Sequence, residues 1–145
     1  MSSESAVTQI SLPLPRSLDT RIHVHLTTKA KAVTLFLTSV TQDEQSGPAA
    51  LGSFVYALPN DQRLEPAQPI STAIYSVEST LEFTTRMAKL LAKRTGMPVY
   101  VGCSINPGGS AMGLSVEEEM EAFRAIVDVV TGKLKGGQAA INGVS

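Results

Sequence analysis

The residue types that carry most small-protein chemistry are scarce in this 145-residue chain, which has one cysteine, two histidines and no tryptophan. A single thiol, Cys103, excludes an intramolecular disulfide framework and fits a reducing compartment. With so few imidazoles and thiols, the common ligand sets for a metal centre are hard to assemble. Charge of one sign is lacking too. Twelve Lys and Arg against 13 Asp and Glu leave a net charge of −1, without the basic excess that a nucleic-acid binder normally shows. Long apolar runs are missing, and none approaches the roughly 18 residues of a membrane span. The opening MSSESAVTQ has no charged-then-apolar order, so no secretory leader is expected. These absences favour a cytoplasmic or nuclear protein that works through surfaces, with no cofactor, no nucleic acid and no membrane.

What remains is enough for one folded domain. The length lies in the usual single-domain range of about 100–200 residues. Only 17% of the residues are charged, against about 25% in typical domains, so most of the chain can join a core. Thr20 to Thr28 alternates, with Ile22, Val24 and Leu26 on one side and Arg21, His23, His25 and Thr27 on the other. That period of two predicts a strand with one face in a core. Ala32 to Val40 repeats the pattern, and the short Lys29-Ala30-Lys31 link predicts an antiparallel hairpin. Further strands are expected at Leu51 to Leu58, Ile70 to Tyr75 and Val99 to Ile105, with a last extended piece around Ala111 to Leu114. Two helices complete the set. Ser79 and Glu82 form a capping-box pattern ahead of the stripe Phe83, Met87, Leu90 and Leu91, and Gly96 with Pro98 marks the stop. Ser115 and Glu118 open the second helix, whose stripe is Val116, Met120, Phe123, Ile126, Val127 and Val130. The expected fold is α+β, a mainly antiparallel sheet of about six strands with two α-helices. Residues 10–131 form the domain, between an N-terminal tail (1–9) and a Gly-rich C-terminal tail (132–145).

Candidate chemistry is sparse, and each piece has a plain structural reading. His23 and His25 share one strand face and could give a metal two ligands, but nothing spaced nearby announces a third. Cys103 could be a nucleophile, yet Val99, Val101 and Ile105 on its own strand face predict a small buried hydrophobe. Gly108-Gly109-Ser110 lacks the lysine of a phosphate loop. Glu117, Glu118, Glu119 and Glu121 crowd a helix start, where the dipole favours them at about 0.3–1 kcal/mol each. One feature survives this sorting. Arg86, Lys89 and Lys93, with Arg94 beside them, form a basic ridge on the first helix. It is either a solvated face or a dock for an acidic protein. No catalytic, cofactor or metal residue is assigned.

The segments IHVHLTTKAKAVTLFLTSV and MAKLLAKRTGMPVYVGCSI resemble the proteasome assembly chaperone 4 family. The matching pieces are Ile22-His23-Val24, Val33 to Leu37, the Thr-rich helix entry Ser79 to Thr85, the basic Ala92-Lys93-Arg94-Thr95 and the Val99-Tyr100-Val101 strand. The resemblance spans about residues 20–131; the loop 42–48 and linker 60–68 look longer than the family pattern, and the tail after Lys135 has no counterpart. It implies a non-enzymatic chaperone with a sandwich-like sheet arrangement. Such a protein pairs with a related protein, proteasome assembly chaperone 3, binds the fifth alpha subunit and promotes alpha-ring assembly. Residues carried over as partner-binding are Arg86, Lys89, Lys93 and Arg94, with Thr84 and Thr85 added. Phe36 and Tyr100, on the second strand face, are candidates for the heterodimer interface, unless a second core layer covers them. The competing readings are a small metal-binding or enzymatic α+β protein using His23 and His25, and a scaffold in some other complex.

Overall fold

The computed structural model describes residues 6–13, 20–29, 31–41, 52–59, 69–105 and 116–142. Six strands and two helices follow one another as β1 (Ala6–Pro13), β2 (Thr20–Lys29), β3 (Ala32–Thr41), β4 (Ser53–Leu58), β5 (Ile70–Tyr75), α1 (Glu78–Thr95), β6 (Val99–Cys103) and α2 (Val116–Asn142). The strands form one sheet in the order β1-β2-β3-β6-β4-β5. Four of its five pairings are antiparallel; β3 and β6 run parallel. Parallel neighbours need a long crossover. Here β4, β5 and α1 supply it, and β6 returns to lie between β3 and β4.

Alternation decides which side chains meet. Ile22, Val24 and Leu26 of β2, Val33, Leu35 and Leu37 of β3, Val55 and Ala57 of β4, and Val99, Val101 and Cys103 of β6 are all buried in one cluster. α1 joins it through Phe83, Met87, Ala88, Leu91 and Ala92, and α2 through Ala122, Ile126, Val127 and Val130. Both helices therefore lie on one face of an open sheet. No helix among the described residues is long and apolar enough to cross a membrane.

Several expectations need correction. The sixth strand is β1, starting at Ala6 within the segment read as a tail; the extended piece expected at 111–114 lies outside the described residues. Likewise α2 continues to Asn142, through glycines read as a tail. Met120 was placed in the core stripe and is 45% exposed.

The capping box does not form at α1. The helix begins at Glu78, its N-cap is Val77, and no side chain of the cap residue bonds the first turn. β4 does this work from across the core. Ser53 Oγ accepts from the Val77 N–H at 2.8 Å and lies 3.0 Å from the Val77 carbonyl oxygen. Thr80 Oγ1 accepts from the Ser53 N–H at 3.1 Å and sits 2.8 Å from its hydroxyl. Ser53 and Thr80 are both buried, so water cannot replace these bonds. Ser53→Ala strands the Val77 amide at a cost of about 1–3 kcal/mol. A urea midpoint unchanged from the parent protein would contradict this account of the helix start. The stop of α1 is as expected: Gly96, at φ 67°, donates its N–H to the Ala92 carbonyl.

Candidate partner-binding surface

Residues opposite one another across a sheet share a face, so the pairings build the uncovered face row by row. One row runs Val7, Thr27, Thr34, Tyr100, Tyr56, Thr72 across all six strands. The next runs Gln9, His25, Phe36, Gly102, Phe54, Tyr75. Neither row contains Asp, Glu, Lys or Arg. A sheet face turned to water normally alternates polar against the core. This one presents aromatics.

The rings touch one another. Phe36 and Phe54 stack at 5.9 Å between centroids, with 7° between planes. They reach across Gly102, which separates their strands and offers no side chain to hold them apart. Phe54 stacks on Tyr100 at 5.9 Å, and Tyr100 meets Tyr56 at 4.5 Å. All four side chains are half-buried, and no described element covers them; the alternative of a second core layer under a helix fails because both helices lie on the other face. Exposed apolar residues extend the patch toward the edges: Val7, and the facing pair Leu58 and Ile70.

The expected interface residues Phe36 and Tyr100 thus fall in one patch. Phe54 and Tyr56 were missed, although a signal was present. In SFVYAL both alternating sets are apolar, and the small Ser53 and Ala57 face inward because α1 packs close over β4.

The basic residues of α1 differ in what lies beside them. Arg86 lies over the Phe123 ring at 5.4 Å from its centroid, and both Arg86 and Arg94 line the groove between α1 and α2. Lys89 and Lys93 do not line it. Thr84 is fully buried and its hydroxyl donates to the Thr80 carbonyl at 2.7 Å, so it has no surface to offer a partner. Thr85 is half-buried on α1.

The histidine and cysteine candidates are divided by the sheet. His23 and His25 lie on the aromatic face, where Gln9 Nε2 sits 3.4 Å from His25 Nδ1. Cys103 lies on the helix-covered face. They cannot share a ligand or a substrate. Among the described residues, no group of three or more His, Cys, Asp or Glu could hold a metal ion. Burial pushes the Cys103 thiol from 9.0 up to about 12, against smaller opposing effects of its hydrogen bonds with the Ile105 backbone and Thr84. A thiol reagent at mildly alkaline pH should therefore label Cys103 only after denaturation; rapid labelling of the native protein would contradict its burial. The raised value also sets a sign for stability. The unfolded chain releases this proton first, so the thiol's contribution is intact below 9.0 and is lost as pH rises toward about 12.

Comparison with known proteins yields likenesses in both sequence and structure. The family model of proteasome assembly chaperone 4 matches residues 21–105, more than half of the chain. Among solved structures, a chain from a crystal structure of a novel chaperone complex for yeast 20S proteasome assembly is similar in fold. The TM-score is 0.62 at 16% identity, over 90% of this chain and 98% of that one. No curated protein sequence matches the chain.

Proposed function

The chain belongs to the proteasome assembly chaperone 4 family, and from that premise we propose that it pairs through its aromatic sheet face with a chaperone 3-like protein and binds an alpha-ring subunit, the fifth. The observation that carries this reading is the pair of charge-free rows across six strands, with four contacting rings at their centre. Interface cores are depleted of charge and enriched in Tyr and Phe. A second sheet of the same architecture would cover the rings at the usual spacing of about 10 Å, completing a sandwich from two chains. The family's role is that of a chaperone, and pairing of surfaces suffices for it. Holding an alpha subunit in place and then yielding to another subunit requires complementary faces, and no bond-making residue. The one unpaired thiol fits action in the cytoplasm or nucleus.

Affinity purification of the tagged chain from cell extract should recover the chaperone 3-like protein together with alpha-ring subunits. Recovery of neither would sink the reading.

A further inference from the structure

We infer that the groove between α1 and α2 is a second docking site, which takes an acidic segment with a large apolar anchor from the alpha-ring subunit. This rests on the reading above and adds where and how the subunit is held. The groove lies on the helix-covered side of the sheet. A chaperone seated on the aromatic face would leave it open, so both partners can bind at once.

Its size and chemistry select the occupant. The groove holds about 280 Å³, just below the roughly 300–1,000 Å³ of small-molecule and cofactor sites. That space suits one large side chain of a partner. Its floor is apolar: Phe83 meets Phe123 edge-on at 5.4 Å, with Leu90 and Val127 beside them. Met120, 45% exposed, lines its rim and can adapt to an inserted side chain.

Charge sets the flanks. Arg86, Arg94 and Arg124 outnumber the two carboxylates that line the groove, Glu119 and Asp128, and the charged lining residues of the α1 wall are both arginines. The Arg86 guanidinium lies over Phe123 at 5.4 Å from its centroid, and a planar guanidinium can face a ring while its edge binds a carboxylate in two-pronged fashion. Arg86 and Arg94 are eight residues apart on one helix, about 12 Å along its axis. Two carboxylates about three or four residues apart in an extended segment match that span. The apolar anchor then falls between them, over Leu90, which lies midway along that span and lines the groove.

The test uses the reconstituted pair of this chain and its chaperone 3-like partner, with binding to isolated alpha subunits measured by calorimetry at low and high salt. Arg86→Glu with Arg94→Glu should weaken alpha-subunit binding by at least about tenfold, with partner pairing intact. Lys89→Glu with Lys93→Glu, on the same helix outside the groove, should change it by less than about threefold, as for rim charges. Where the arginine variant fails to fold, Met120→Asp serves in its place, being exposed, and should weaken binding equally. Equal losses from the arginine and lysine variants, or unchanged binding in the arginine variant or in Met120→Asp, overturn the groove. Failure of the unaltered pair to bind any alpha subunit overturns the parent reading instead, and the groove's assignment with it.

Discussion

Phe36→Asp combined with Tyr100→Asp should abolish the proposed pairing with a chaperone 3-like partner, raising Kd by about a thousandfold or more, while the isolated chain stays folded. The two effects separate because of where the rings sit. Both belong to the face opposite the helices, outside the cluster that holds the domain together, so losing them removes ring contacts with Phe54 and Tyr56 but no core residue. In the proposed complex the same positions would lie at the centre of the covered area. Central aromatic anchors commonly contribute 2–4 kcal/mol each, about 1.4 kcal/mol per tenfold in Kd, and a buried unpaired carboxylate adds its own desolvation cost. Phe36→Leu is the matched control: it keeps apolar cover and should lose far less. Sedimentation of the mixed proteins reads pairing, and circular dichroism reads the fold. Normal pairing by the double aspartate variant would move the interface elsewhere.

The second large effect concerns stability. Gly52 and Gly96 have nearly the same backbone conformation, with φ 69° and 67°, yet their substitutions should differ sharply. Gly96 ends α1, and nothing lies within 4 Å of an added Cβ. Gly96→Ala therefore carries only the left-handed strain, about 1–2 kcal/mol. Gly52 leads into β4, where an added Cβ would lie 2.0 Å from the Cys103 carbonyl oxygen. That atom belongs to the backbone of β6, one of the two middle strands, and cannot swing aside like a side chain. Gly52→Ala must push β4 away from β6 and should cost at least about 4 kcal/mol, a large part of the 5–15 kcal/mol typical of a domain. Urea unfolding of the two variants checks the contrast. Equal costs would show that the approach of Gly52 to β6 is not required.

Much of this fold was legible because a sheet with one covered face writes a period of two. β2, β3, β4, β5 and β6 were all expected, as were both helices. β1 was not, because Val7 faces outward while Ile10 and Leu12 pack inward, which breaks the apparent pattern. Capping at α1 was misread for a different reason. Its partner, Ser53, lies 24 residues before Val77, and local motifs carry no information about such a bond. The candidate surface was half legible. Phe36 and Tyr100 stood out against threonines and valines, but Phe54 and Tyr56 sat in a strand that is apolar on both faces. Helical spacing placed the four cations together; the packing of α2 against α1 then drew Arg86 and Arg94 to the groove and left Lys89 and Lys93 outside it.

Hydroxyl-radical footprinting of the chain alone and mixed with its chaperone 3-like partner tests the central claim most directly, because it reads side chains one at a time. Phe36, Phe54, Tyr56 and Tyr100 should all lose reactivity in the mixture, while Met120 on the helix side keeps its own. Unchanged labelling of the four rings, or protection confined to the helices, would contradict pairing through the sheet face.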